Sequence, residues 1–178
     1  RNAASGTVQG IDLELGLQTS VFDLSVGYSY LDAGYDEYID PTRGDLSNSV
    51  FPNTPKHQLT VAPKLKFPVP EDVGQISFLA NVYVRSAIAF DPINRANGNP
   101  IADLSPPGAN GPGYTRIDLR LDWKAIMGSG FSTALFVRNA SDETYLVGSA
   151  NQLPTQFGFV SYLYGEPRTI GAEFRLDF

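Results

Sequence analysis

The sequence predicts an all-β chain, an antiparallel segment of a transmembrane β-barrel, and three observations carry that reading. Alternating polarity, the period of a strand, recurs in seven places, and no stretch shows a convincing 3.6-residue apolar stripe. The connections after the first, third and fifth of these segments are short, whereas those after the second, fourth and sixth are long. Across the middle of all seven, every Asp, Glu, Lys and Arg shares a face with the other polar residues.

The first segment, residues 7–18, sets Ile11, Leu13, Leu15 and Leu17 against Asp12, Glu14 and Gln18. A very short turn near Thr19 and Ser20 leads to residues 21–31, where Phe22, Leu24, Val26, Tyr28 and Tyr30 oppose Asp23, Ser25, Gly27 and Ser29. A long polar loop is expected over 33–55. The third segment, 56–67, alternates His57, Leu59, Val61, Leu65 and Phe67 with Lys56, Gln58, Thr60, Lys64 and Lys66. Pro63 interrupts its apolar face and, lacking an N–H, is expected at a bulge or strand end.

The fourth, 75–85, follows a short turn and opposes Ile76, Phe78, Ala80, Val82 and Val84 to Gln75, Ser77, Asn81, Tyr83 and Arg85. A loop rich in Pro, Gly and Asn spans 87–113. The fifth segment, 114–124, is the cleanest: Thr115, Ile117, Leu119, Leu121 and Trp123 oppose Arg116, Asp118, Arg120, Asp122 and Lys124. In the sixth, 131–139, Phe131, Thr133, Leu135 and Val137 oppose Ser132, Ala134, Phe136 and Arg138. After a loop over 141–165, the closing segment, 167–178, sets Ile170, Ala172, Phe174, Leu176 and Phe178 against Thr169, Gly171, Glu173, Arg175 and Asp177.

Tight turns at one end and long loops at the other are what outer-membrane barrels have, and a soluble sandwich has no reason to alternate so regularly. Arg or Lys facing lipid at the bilayer midplane costs about 2–4 kcal/mol, so the one-faced charge pattern is what a membrane demands. Phe22, Phe67, Trp123, Phe131 and Phe178 fall near the short-turn rim, with Tyr28 and Tyr30 toward the other, as aromatic girdles do. Seven strands left open in lipid would expose backbone on both edges, so the chain is expected to pair with further strands. Arg1 in place of an initiator Met is expected of a processed or excised piece.

Composition narrows the function. A formal charge of -6 without a basic stripe speaks against a nucleic-acid partner. The chain has no cysteine, which removes disulfides and thiolate metal sites. No run approaches the roughly 18 apolar residues of a transmembrane helix. Seventeen Gly, 13 Pro, 11 Phe and 9 Tyr favour strands and turns.

Four segments resemble the C-terminal barrel of the TonB-dependent outer-membrane receptors. In the opening stretch 2–14, Gly10 precedes an alternating apolar and acidic run; residues 52–59, with Pro52, Asn53, Pro55 and His57, are similar to the family's strand start after a long loop. Residues 137–145 resemble the Asn-Leu-Phe-Asp-x-x-Tyr segment, with Asn139, Asp142 and Tyr145 in the matching places and Ala140-Ser141 where Leu-Phe is common. Gly165, Pro167 and Arg168, followed by the terminal Phe178, resemble the family's closing strand.

The resemblance implies about seven strands of a larger, 22-stranded barrel, with 1–178 its C-terminal portion and the plug and earlier strands absent. It implies a Gram-negative outer membrane and active import of a scarce nutrient such as a siderophore, cobalamin or glycan. The implied partners are outer-membrane lipid, the remaining strands and plug, an extracellular ligand, and an inner-membrane TonB-type energising complex reached through the missing N-terminal part. It also implies that the terminal aromatic strand, with Phe174, Leu176 and Phe178, is the signal read during barrel insertion. A passive porin shares the physical features but need not share the motifs, and a soluble β-sandwich module is a third reading.

No enzyme is expected: there is no Gly-x-Ser-x-Gly elbow, and the only histidine, His57, lies on the apolar parity. No cofactor is expected either. Asp36, Glu37, Asp40 and Asp45 lack the spacing of a calcium loop and read as a solvated loop. The alternating charges Arg116 to Lys124, repeated by Glu173, Arg175 and Asp177, read as mutual satisfaction across strands or against a polar plug. Ligand contacts are expected in the long loops, with Tyr35, Tyr38, Arg43, Phe90, Arg95, Phe157 and Tyr162 as candidates, because aromatics and Arg suit glycans and anionic chelates.

Overall fold

A computed structural model describes residues 4–41, 44–90, 110–151 and 158–178. Twelve strands follow in order: β1 (Ala4–Gln18), β2 (Phe22–Asp40), β3 (Gly44–Asp45), β4 (His57–Phe67), β5 (Gln75–Arg85), β6 (Ile88–Ala89), β7 (Asn110–Gly111), β8 (Tyr114–Lys124), β9 (Phe131–Arg138), β10 (Leu146–Asn151), β11 (Val160–Tyr164) and β12 (Thr169–Leu176). Seven of them form one antiparallel meander, β1-β2-β4-β5-β8-β9-β12, and its two edge strands are not joined to each other. These are the seven strands the alternation predicts. No helix among the described residues is long and apolar enough to cross a membrane, which says nothing against a barrel.

Register confirms that the apolar positions share a face. Phe22 pairs with Leu65, Leu65 with Phe78, Phe78 with Leu121, Leu121 with Leu135, and Leu135 with Ala172. This line starts at the short-turn end of β2 and arrives on β12 well above that strand's end at Leu176. The lag is about one residue per strand crossed, which for strands about 4.8 Å apart rising about 3.4 Å per residue means a lean of about 35°. Barrel strands tilt by that amount.

The apolar face is open: Ile11 is 58% exposed, Leu15 61%, Ile170 74% and Phe174 72%. Contiguous apolar surface on this scale marks a face made for another apolar phase. The few buried side chains among the described residues, Leu46, Ser49, Ile88, Ala89, Ala134, Asn139 and Tyr145, do not form a core beneath the sheet. Most sit where chain folds over its long-loop end.

Three expectations need correction. β2 does not stop near Leu31 but runs to Asp40, paired with β1 as far as Ala4↔Tyr38 and carrying a bulge at Asp36. The reason is a change of surroundings: Leu31, Ala33 and Tyr35 are half-buried on what was the polar face, while Asp32, Gly34 and Asp36 are exposed on the other. The strand continues while its polarity inverts, so alternation alone reads as an ending.

Pro63 occupies neither a bulge nor a strand end. It pairs with Leu24, and the β4–β5 register is unchanged on either side, from Val61↔Val82 to Lys64↔Leu79, with the rungs at Ala62 and Pro63 missing between them. One lost donor is absorbed locally because both neighbouring ladders hold the strand. The loops expected over 33–55, 87–113 and 141–165 also contain ordered pairs, namely β2–β3, β6–β7 and the β10–β11 hairpin.

Candidate functional site

The polarity inversion places a boundary at Tyr30 and Leu31. On the apolar face just below it, His57 stacks against Tyr28 and Tyr30 at centroid distances of 6.2 and 5.3 Å, Tyr28 Oη lies 2.9 Å from His57 Nδ1, and Lys56 Nζ sits 5.7 Å from the Tyr30 ring. Amphipathic rings with a cation at one depth form an interfacial belt, which accounts for the lone histidine. The other rim is also aromatic: Trp123 donates from Nε1 to the Val73 carbonyl at 2.9 Å, and Phe131 stacks on Phe174 at 6.2 Å.

Above the boundary the inner face of the β1–β2 extension carries an aromatic group. Tyr35 lies 4.9 Å from Tyr38 and stacks on Phe51 at 4.7 Å, and the Phe51 ring packs over Gly6, which pairs with Tyr35. The chain after β3 folds back onto it, with Leu46 fully buried and Val50 bridging to Gly34. Asp45 accepts from the Ser47 hydroxyl at 2.6 Å and the Ser47 amide at 2.9 Å, which holds its carboxyl below the usual carboxylate range. Thr7 donates to Asp36 at 3.0 Å. Among the described residues no three acidic or imidazole side chains converge as a metal group would.

A second cluster lies where β5 and β8 reach the same rim on the polar face. Tyr114 stacks on Tyr145 at 4.3 Å and meets Tyr83 at 5.8 Å, and the Arg85 guanidinium lies 4.8 Å from the Tyr114 ring. Arg116 contacts Asp118 at 3.1 Å and donates to Tyr145 Oη at 3.5 Å. Arg85 has no carboxylate beside it, only the Leu146 carbonyl at 3.5 Å, and the Nε atoms of Arg85 and Arg116 are buried without a hydrogen-bond partner among the described residues. Phe90 packs against Gly111 beside Arg85. An aromatic wall holding an incompletely compensated guanidinium suits a flat or anionic ligand.

A latch frames this cluster. Asn139, 1% exposed with a left-handed φ of 48°, donates from Nδ2 to the carbonyls of Glu143 and Glu166 at 2.9 and 3.0 Å and accepts the Glu143 amide at 2.9 Å. Asp142 pairs with the Arg168 guanidinium at 3.1 Å. The Tyr145 ring lies so close to Gly165 that an added Cβ would collide with it. Asn139, Asp142 and Tyr145 thus meet Glu166, Arg168 and Gly165 in turn, and the two motifs that stand apart in sequence close the base of the β10–β11 hairpin.

Of the candidate contacts, Tyr35 and Tyr38 come together on a strand rather than a loop, Phe90 sits beside the second cluster, and Tyr162 lies on β11 at 36% exposure. Arg43, Arg95 and Phe157 lie outside the described residues. Phe51, Tyr83, Arg85, Tyr114, Arg116 and Tyr145 were missed. Their signal was present, since Tyr83, Arg85, Tyr114 and Arg116 hold the polar parity at strand ends, but the loops drew attention away.

The family model described as "TonB dependent receptor-like, beta-barrel" matches residues 1–174. No curated protein sequence matches the chain. Among solved structures, the chain is similar to the ferric yersiniabactin uptake receptor FyuA from Yersinia pestis, at 15% identity and a TM-score of 0.76 over 99% of this chain and 24% of that one. It is similar also to the siderophore receptor PiuA from Acinetobacter baumannii, at 18% and 0.68 over 96% and 22%, and to the ferric-catecholate import receptor Fiu from E. coli K12, at 22% and 0.65 over 96% and 21%. The chain therefore spans about a quarter or less of the length of these receptors.

Proposed function

Since the chain belongs to the TonB-dependent receptor β-barrel family, we propose that it supplies the last seven strands of an outer-membrane active transporter, and that the Tyr and Arg cluster at its long-loop rim is part of the surface that takes the ligand. The observation that supports this most is Arg85: a cation without a carboxylate neighbour, backed by Tyr114, on the polar face of a sheet whose other face is apolar. The siderophore class fits this chemistry best, because ferric chelates are commonly anionic and present flat, aromatic-compatible surfaces. The named receptors of like fold take up or import such compounds, and we carry that class to this chain as our reading.

In this reading the apolar face meets outer-membrane lipid, β1 and β12 pair with earlier strands, a plug fills the lumen, and a TonB-type complex drives uptake through the N-terminal part. Catalysis has no place in it. Iron-starved cells whose only siderophore receptor is the full-length protein should grow on at least one anionic ferric chelate, and growth should stop when the energising complex is removed. Replacing Arg85 by Ala should lower binding of that chelate about tenfold, the scale of one charge-assisted contact. Uptake that continues without the energising complex would instead favour a passive pore.

A further inference from the structure

At the opposite, short-turn end of the polar face lies a cavity of about 610 Å³, lined by Lys64 and Lys66 of β4, Gln75 and Ser77 of β5, Lys124 of β8 and Glu71 of the intervening turn. Elsewhere on this face cations meet acids: Arg116 with Asp118, Arg120 with Asp122 and Glu173, Arg175 with Asp177. Within the cavity only Lys66 is matched, by Asp23 at 2.6 Å, with the Thr19 carbonyl at 3.1 Å. Lys64 and Lys124 have no hydrogen-bond or ion-pair partner among the described residues. In a chain with a net charge of -6, a pocket with three ammonium groups is a local reversal of sign.

We propose that this cavity is an anion site holding carboxylate side chains of a polypeptide segment outside residues 1–178, a proposal that rests on the reading of the chain as the last strands of a larger, filled barrel. Lys64 and Lys124 stand two strands apart, about 10 Å laterally, too far for one carboxylate to touch both. Gln75 and Ser77 between them offer neutral donors and acceptors suited to a peptide backbone. Lysine is a compact point charge that satisfies a single carboxylate without the geometry an Arg fork demands. The lining is polar and belongs to the face that turns inward on closure, so the occupant comes from inside the barrel. Receptors of this fold are several times longer than this chain, which leaves ample polypeptide to supply it.

The test uses the full-length receptor in isolated outer membranes, treated with a water-soluble carbodiimide that joins an amine to a carboxylate only where the two touch. Peptide mapping should show Lys64 or Lys124 linked to an Asp or Glu outside residues 1–178. The Lys64→Gln/Lys124→Gln double variant should lose that product while keeping a heat-shifted barrel band. A normal barrel band with links only to Glu71 or Asp23 overturns the anion-site proposal and leaves the receptor reading standing. Protection of both amines that requires added phosphate or citrate also overturns it, by showing a small-anion site instead. Absence of any heat-shifted membrane form overturns the receptor reading and the proposal together.

Discussion

Asn139 occupies a conformation that asparagine tolerates better than most residues, and its carboxamide closes three backbone hydrogen bonds from a site that is 1% exposed. Removing it strands the Glu143 amide and the Glu166 carbonyl, each costing about 1–3 kcal/mol if left unpaired. Asn139→Ala should therefore destabilise the latch by about 2–4 kcal/mol, read as faster amide exchange in 142–146 and 164–168 with the rest of the sheet unchanged. The Asp142–Arg168 pair is about half exposed on both sides, and its loss should cost under about 1 kcal/mol. Equal effects of Asn139→Ala and Arg168→Ala would contradict this ranking. These three motif residues were legible as a resemblance, but their partners were not, because the contacts join segments that no local pattern connects.

At the scale of the strand, face decides tolerance. Leu119 lies mid-strand on the apolar side of β8, opposite Ala80 and Val137, while Thr60 lies on the polar side of β4 opposite Gly27 and Tyr83. Leu119→Arg should destabilise the folded barrel in lipid by about 2–4 kcal/mol, and Thr60→Arg should be far milder. Denaturant unfolding in vesicles distinguishes them, and comparable losses would argue against lipid contact.

The closing strand makes a separate point. Phe174, Leu176 and Phe178 are 72%, 62% and 113% exposed, and nothing in this chain covers them. If they signal insertion, Phe178→Ser should reduce the heat-resistant barrel in cells while leaving synthesis intact; wild-type levels would sink that role.

Strand identity was legible wherever one face met lipid, because a bilayer enforces apolar alternation residue by residue. It failed in β2 beyond Leu31, where the outward side meets water and the inner side packs Tyr35 on Phe51, inverting the pattern without ending the strand. The short pairs β3, β6 and β7 offer too few residues to carry any period. The candidate site suffered similarly: Tyr83, Arg85 and Tyr114 read as ordinary polar-face positions until register put them side by side.

For the molecule as a whole, charge organisation on the inner face follows the same division of labour. Arg120 reaches over β9 to Glu173 at 2.7 Å, passing Ala134, whose side chain is only 3% exposed and small enough to let it cross. Such bridges brace neighbouring strands against shear and leave two places unmatched, Arg85 at the long-loop rim and Lys64 with Lys124 at the other. The first faces the ligand and the second the filling of the lumen in the function proposed above.

The sheet itself remains open, with β1 and β12 each presenting one unpaired backbone edge, a state hydrocarbon does not permit. A density map of the full-length protein in a lipid disc tests the central claim most directly. It should show β1 and β12 hydrogen-bonded to strands from outside residues 1–178, with Leu13, Leu119 and Phe174 facing lipid and Arg116, Arg120 and Glu173 facing the interior. Edges left free in solvent, or apolar faces packed against a second sheet as in a soluble sandwich, would contradict it.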